Sequence, residues 1–415
     1  MATGTTIANA LMKQDLAPRV FRAFQDETVL LSLLMDVQNV KINARGYDFT
    51  AYTAPNPSFG SRTEGDYIPL PGSGRFAKMN VKITRQFQEE EVTGDIRDMD
   101  DINNIGGLLK PIVQYGTEAF KSKLNKQCYG DTSGSLGVVT AVTTGALGTA
   151  TFDPATTPTG SRYIPVGARL HFYTTAGVAH ATAASVSIVT ANNTTTGVVT
   201  FDNVPTDAAV NDIVVYESSF GLAMNGLNGL IQNAALTNFQ GVSLVTEPGL
   251  KATVYDAAGA AWAQGMIDTA VTRTKLAGGV AAPVDDFVII TNPKQTDAIR
   301  KAGYALTRTV SVTNGAKNVL DLGFPLVATN GMRVREDNDC GDSDIYGIRL
   351  SSIIRTMIRQ PGIMEMIEGQ MLTPKYGTGT LADAFFVAWG LKGNLAVTSP
   401  NANFRIKNLS TVGLG

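Results

Sequence analysis

From Leu108 to Tyr129 the chain reads LLKPIVQYGTEAFKSKLNKQCY, and its apolar positions recur with helical spacing. Leu109, Ile112/Val113, Gly116, Ala119/Phe120, Leu124 and Cys128 fall on one stripe of an α-helix. Lys121, Lys123, Asn125 and Lys126 fall mostly off that stripe, on a side free to stay solvated. Pro111 suits the first turn, where its missing N–H removes no helical bond, and Gly130 with Asp131 forms a stop signal. A helix of this span is about 33 Å long at ~1.5 Å per residue. Taken alone, the stripe predicts an ordinary core helix. Its flanks, a long hairpin before it and a change of composition after it, suit a spine that joins modules.

Upstream, Ala17 to Met35 carries apolar Val20, Phe24, Leu30, Leu31, Leu33 and Leu34, with Asp26 and Glu27 between them. This predicts a short amphipathic helix and an apolar segment, which docks either on its own domain or on a neighbouring subunit. From Val40 to Gly94 the period changes. Tyr47, Phe49 and Ala51 alternate with Asp48 and Thr50, and Val81 and Ile83 alternate with Lys82 and Thr84, which is strand periodicity. Between them lies APNPSFGSRTEGDYIPLPGSG, with the proline and glycine density of an extended tip that has no packed core. A long two-stranded hairpin is marginal by itself, so it lies across another surface, its own domain's or a neighbour's. Proline and charge near its end discourage uncontrolled edge pairing. Glu89, Glu90 and Glu91, then Asp95, Asp98, Asp100 and Asp101, precede the helix, where acidic groups favour its dipole. Without histidine or a fixed ligand spacing, a metal site there is the weaker reading.

Beyond the helix, Gly134 to Ser219 contains no lysine and is dominated by Thr, Ala, Val and Gly. Short strand-like runs (LHFY from Leu170, SVSIV from Ser185, VVTF from Val198, DIVVY from Asp212) are separated by turn clusters, which predicts a small all-β module inserted into a mixed α/β chain. From Met224 the α/β character returns. Leu250 to Leu276 predicts a helix with Val254, Ala258, Ala261/Trp262, Met266, Ala270 and Leu276 buried. FVIIT from Phe287 is a buried-strand run. Asn292 then caps a helix, with Pro293 at the first position and Gln295 at the capping-box position. DNDCGDSD from Asp337 to Asp344 has a superficial likeness to a calcium loop but lacks its spacing and terminal Glu, so it reads as an acidic turn between strands. FFVAWGLKGNLAVTSPNANFRIKNL alternates like strands with a Gly-rich bend.

Composition narrows the function. With 415 residues there is room for two or three domains, and 44% hydrophobic against 17% charged residues is an ordered, weakly charged chain. The net charge is −2, and no basic stripe of the kind that grips nucleic acid is visible. So little charge leaves self-association almost unopposed. Cys128 and Cys340 sit in different modules, unlike a disulfide framework or a zinc site, which suits a reducing compartment. MATGTTIANALMKQDL does not read as a signal peptide, and no apolar run reaches the ~18 residues of a membrane span, so a soluble product made in a cytoplasm is expected. Phosphate-loop, dinucleotide, zinc-protease and nucleophile-elbow motifs are all absent. A Ser-His-Asp triad would need His171 or His180, both inside the all-β module without a supporting motif. No enzyme activity, catalytic residue, metal or cofactor is assigned.

An arm, a long hairpin, a spine helix and a β insertion are the parts of an assembly protein, and in this order they resemble the major capsid proteins of tailed bacteriophages, with their Hong Kong 97-type fold. The resemblance covers nearly the whole chain. FVIITNPKQTDAIRKA from Phe287 resembles the family's axial-domain strand-turn-helix, and LGFPLVATNGM from Leu322 its glycine-aromatic-proline-valine strand start. Gly341-Asp342 followed by Tyr346 and IRLSSII resembles its glycine-aspartate and tyrosine strand pair, and GNLAVTSPNANFRIKNL its closing peripheral strand. IPVGARLHFY, NDIVVYESS and MNGLNGLIQN resemble the β-barrel that some members insert after the spine, and the return from it.

The resemblance implies an α+β fold divided into an N-terminal arm (1–39), an extended loop (40–95), the spine helix of the peripheral domain (96–132), an inserted all-β domain (133–220), an axial domain (221–358) and peripheral return strands (359–415). It implies a virion shell of pentamers and hexamers, assembled in the bacterial cytoplasm around double-stranded DNA that is enclosed without sequence-specific binding. Expected partners are further copies of the chain, a portal protein, a separate scaffolding protein (the N-terminal portion being too short for a fused one) and a decoration protein, with no membrane. Expected inter-subunit contacts are Phe59, Arg62, Glu64, Asp66 and Tyr67 on the loop and Val20, Phe24 and Leu30 on the arm. Leu109, Ile112, Val113, Phe120 and Leu124 are expected to pack the spine onto the peripheral sheet. Some relatives cross-link a loop lysine to a neighbour's asparagine, but no lysine lies between Tyr47 and Ala77, so covalent chainmail is not expected. An encapsulin-type nanocompartment shares the fold and is the alternative; a β-rich surface or tail binding protein is the second.

Overall fold

The computed structural model describes residues 28–40, 46–61, 63–64, 72–93, 109–152, 160–180, 186–277, 287–307, 328–329, 332–364, 373–376 and 381–411. Helix α1 (Val29–Asp36) comes first. Strands β1 (Tyr47–Ala54) and β2 (Arg75–Val81) form the expected hairpin, with Tyr47 opposite Val81 and Ala54 opposite Arg75. β3 (Thr84–Thr93) follows, and then the expected spine, α2 (Leu109–Tyr129). Next come β4 (Gly137–Thr143), β5 (Gly145–Ala146), β6 (Thr149–Phe152), β7 (Arg169–Tyr173), β8 (Ser187–Asn193), β9 (Val198–Phe201), β10 (Asn203–Val204) and β11 (Ile213–Tyr216). The chain continues through α3 (Leu227–Leu230), β12 (Thr253–Asp256), α4 (Gln264–Leu276), β13 (Phe287–Thr291), α5 (Pro293–Thr307), β14 (Ala328–Thr329), β15 (Met332–Glu336) and β16 (Ile345–Arg349). It closes with β17 (Ile353–Met364), β18 (Thr373–Tyr376), β19 (Leu381–Val397) and β20 (Phe404–Lys407).

Two sheets carry the α+β body. One has the order β12-β20-β16-β13-β15-β14, and Ile267 and Ala270 of α4 and Ile299 of α5 pack with its Ile289, Val334, Ile345, Phe404 and Ile406. The other is built around β19, flanked by β17 and β18 along one edge and by β3 along the other, from Thr84 opposite Gly393 to Thr93 opposite Ala384. The spine α2 packs on this second sheet. Its Phe120, Leu124 and Cys128 share a core with Val387, Trp389 and Leu391, and α1 adds Leu30, Leu31 and Leu34.

The all-β stretch closes on itself as a barrel, β11-β4-β6-β9-β8-β7. Alternation turns Val139, Ala150, Phe152, Leu170, Phe172, Val189, Val199, Phe201 and Val214 inward, which fills the interior with side chains. Phe172 and Phe201 meet edge-on at 5.4 Å between ring centroids. The chain leaves the body and returns at adjacent points, where the Gly221 N–H donates to the Ser133 carbonyl at 2.9 Å.

Several expectations change. Leu250 to Leu276 is not one helix: β12 occupies Thr253–Asp256, parallel to β20, and α4 starts only at Gln264. The break has a local cause. The Asp256 carboxylate accepts the Ala258 N–H at 2.9 Å, and Ala258 and Gly259 take φ of 50° and 80°, which stops a right-handed helix. Asn292 does cap α5, accepting the Lys294 N–H at 3.0 Å. Gln295 does not complete a capping box; its amide donates instead to the Asp342 carbonyl at 2.8 Å and the Ser410 carbonyl at 3.1 Å. On the spine, Ala119 is exposed, whereas Asn125, expected to stay solvated, is fully buried.

Candidate functional site: the assembly surfaces

Alternation gives the hairpin two unlike faces. Ala51 and Met79 point inward and join the core that holds Phe239, Leu244 and Leu250, while Val81 packs with Ile354 and Ala396. The Asn80 N–H donates to the Gln240 carbonyl at 2.7 Å, and Arg75 pairs with Glu247 at 2.9 Å. The base of the hairpin therefore lies across its own chain. On the outer face Lys78 pairs with Asp48 at 2.9 Å, and Asn80 and Lys78 hold the Asp48 carboxyl below its ordinary value.

That outer face also carries Tyr52 and Phe76, directly opposite each other, with ring centroids 5.1 Å apart. They are 57% and 68% exposed, and Phe59 towards the tip is 93% exposed. Burying such rings on association is worth about 25 cal/mol per Å² of apolar surface. Tyr52 and Phe76 were not singled out from the sequence. The signal was present: both break the polar phase set by Asp48, Thr50, Lys78 and Asn80.

Of the expected contact residues, Phe59 and Glu64 are exposed. Val20, Phe24, Arg62, Asp66 and Tyr67 lie outside the described residues. Leu30 is a correction: it is fully buried in its own chain's core, which leaves no surface for a neighbour. On the spine, Phe120 and Leu124 are buried against the core, and Ile112 and Val113 pack half-buried beside them. The Leu109 side chain lies outside the described residues.

The acidic turn between β15 and β16 proves to be a junction. Asp337, Asp342 and Asp344 are buried. Asp337 accepts the Leu30 N–H of α1 at 3.0 Å and the Asn125 amide of α2 at 3.1 Å. Asp342 pairs with Arg162 of the barrel at 2.8 Å and with Lys294 of α5 at 2.9 Å. Asp344 pairs with Arg405 of β20 at 2.6 Å. The partners lie up to 307 positions away in sequence, so no local spacing signalled them. Burial, and then nearby Asp337 and Asp339, push the Cys128 thiol upward; burial, and then Asp344 and Asp337, do the same to Cys340.

Among the described residues no three or more His, Cys, Asp or Glu side chains gather as a metal site, and no helix is long and apolar enough to cross a membrane. His180 lies between two carboxylates, its Nδ1 3.1 Å from Asp207 and its Nε2 2.7 Å from Asp212.

No family model matches the chain, and no curated protein matches it. Solved structures do. In the asymmetric unit of the capsid of cyanophage A-1(L), a chain 13% identical matches with a TM-score of 0.59, over 96% of this chain and 97% of that one. The capsid of the native GTA particle matches at 12% identity and a TM-score of 0.50, over 97% and 99% of the two chains. The empty GTA particle's capsid matches at 11% and 0.51, over 95% and 96%. The class this defines is a capsid fold. In particular, it is the major-capsid-protein fold of Hong Kong 97 type.

Proposed function

We propose that this chain is the major coat subunit of a tailed bacteriophage, and that its copies form the pentamers and hexamers of an icosahedral shell around double-stranded DNA. The observation that carries the reading is the match along essentially the full length of both chains with the cyanophage capsid subunit. The hairpin supports it: an inner face fixed to its own chain and an outer face of exposed aromatics suit a loop that overlaps an adjacent subunit. Phe59, Arg62, Glu64, Asp66 and Tyr67 would reach that neighbour from the tip, and Val20 and Phe24 from the arm. A net charge of −2 suits a container that encloses DNA without gripping it.

In this reading residues 1–39 form the arm, 40–95 the loop, 96–132 with the return strands up to β19 the peripheral domain, 221–358 the axial domain and 133–220 an inserted domain facing outward. The expected peripheral span 359–415 is cut short, because β20 (Phe404–Lys407) pairs with β12 and β16 in the sheet of α4 and α5. A portal, a separate scaffolding protein and a decoration protein are the proposed partners, with assembly in the host cytoplasm. Size-exclusion chromatography and electron microscopy of the expressed chain, alone and with its scaffolding protein, test the reading. Rings or shells are expected. A folded monomer that stays monomeric under both conditions sinks it, and shells that package a cargo enzyme in place of DNA would favour a nanocompartment.

A further inference from the structure

The barrel is joined to the body by two linkers that run side by side. The Gly221 N–H bonds to the Ser133 carbonyl at 2.9 Å, and Gly134 lies against Ala223. Two adjacent linkers define a hinge axis but leave the angle about it free. A crevice opens between the barrel and the end of α2, lined by Lys126, Gln127, Asp131, Leu136 and Tyr216. Tyr163, from the short turn Ser161–Tyr163 of the barrel, lines the same crevice.

That turn carries the fastening. Arg162 donates to the Asp342 carboxylate at 2.8 Å, to the Cys340 carbonyl at 2.7 Å and to the Tyr163 hydroxyl at 2.6 Å. The Tyr163 hydroxyl in turn donates to the Asp339 carbonyl at 2.9 Å. An exposed ion pair would add little, but here the Asp342 side chain is only 7% exposed and the guanidinium fork is shared among three acceptors. The anchor is itself held: Lys294 takes the other Asp342 oxygen at 2.9 Å, and Gln295 donates to its carbonyl at 2.8 Å.

We propose that Arg162 is a latch, which fixes the barrel at one angle about its linkers and whose release lets the barrel swing as an intact body. The proposal does not depend on the shell reading. Removing Arg162 leaves Asp342 its Lys294 partner, so the junction keeps a satisfied carboxylate while the barrel is left with only the Tyr163 hydroxyl bond to the Asp339 carbonyl from this turn.

Hydrogen exchange and limited proteolysis of the full chain test this, comparing the wild type with Arg162→Met and Tyr163→Phe. In Arg162→Met the linkers, residues 131–135 and 218–223, should exchange and be cut about tenfold faster, the scale of a lost charge-assisted bond. β7 and β11 should keep wild-type protection, and Tyr163→Phe, which loses its hydroxyl bonds without a charge change, should show a smaller increase. Equal linker rates in folded Arg162→Met would overturn the proposal. So would loss of protection inside the barrel strands, which would make Arg162 part of the barrel's own stability. If Arg162→Met does not fold, Tyr163→Phe decides: faster linkers with a protected barrel support the latch, and unchanged linkers overturn it.

Discussion

The Trp389 indole occupies the space that a β-carbon on Gly116 would need, and its Nε1–H donates to the Thr117 hydroxyl at 2.9 Å. This contact seats the spine helix on its sheet. Alanine at a helix glycine ordinarily adds about 1 kcal/mol of stability. At position 116 the added methyl meets a fully buried ring, and overpacking costs about 1–3 kcal/mol. Gly116→Ala should therefore lower the urea midpoint. Gly265, in the first turn of α4, has open space around its missing side chain, so Gly265→Ala should raise the midpoint. Equal shifts in the two variants would mean that Trp389 moves aside freely.

Tyr52 and Phe76 make the opposite kind of contact, paired with each other but turned outward. Replacing both with serine should cost the monomer no more than about 1 kcal/mol, the range of a cross-strand pair. Assembly should fail, as read by sedimentation and electron microscopy. Leu30→Ala should do the reverse and lower monomer stability by about 2–5 kcal/mol, as deletion of a buried leucine does. Serine variants that assemble normally would remove this face from the subunit contacts.

Elements whose apolar period is set within their own segment were legible. The spine followed from the Ile112-to-Cys128 stripe, the hairpin from alternation around Tyr47 and Val81, and the barrel strands from short β-branched runs between turns. β12 was not legible. Val254 and Trp262 sit at spacings that also fit a helix, and the partner that makes the segment a strand, Phe404–Lys407, comes about 150 residues later. The acidic turn had the composition of a solvated loop. Only tertiary contact with Leu30, Asn125, Arg162 and Arg405 buries its carboxylates. Asn125 misled for the same reason, since its place off the apolar stripe implied water until Asp337 took that side.

Cys128 and Cys340 are fully buried, and both thiols are pushed upward by that burial. A thiolate is the reactive form, so both should resist aromatic disulfide reagents at pH 8 in the native chain and react once urea unfolds it. Rapid labelling of the folded protein would show that the core around α2 opens readily.

Glu90 on β3 faces Lys123 on α2. Burial raises the Glu90 carboxyl above its ordinary 4.5, against the pull of Lys123. Burial, and then Lys126, lower Lys123, while Glu90 pulls the other way. A carboxyl with a raised native value keeps its proton longer in the folded state than in the unfolded one. Its contribution is complete below pH 4.5 and is lost as the pH rises through the raised native value. Comparing Glu90→Gln with the wild type isolates this contribution from that of carboxyls such as Asp48, whose lowered value has the opposite sign. Relative to the variant, the wild type should lose stability across that window. A difference curve of the reverse sign would show that attraction to Lys123 outweighs burial.

Asp337 joins three segments through one carboxylate. It accepts the Leu30 N–H at 3.0 Å, the Asn125 amide at 3.1 Å and the Asp339 N–H at 2.9 Å, so every neighbour is a donor. Asp337→Asn keeps the shape but adds a donor where only acceptors fit, and at least one buried N–H then loses its partner. Such a loss costs about 1–3 kcal/mol. The damage should be directional. α1 is short and is held from below by Asp337 at Leu30 and by Asn125 at Leu31, the latter at 2.8 Å. Hydrogen exchange should therefore show the Leu30 and Leu31 amides losing protection first, while α2, which keeps Phe120, Leu124 and Trp389 packed, stays protected. If α1 and α2 lose protection together, the carboxylate supports the whole core and is not a tie specific to the arm.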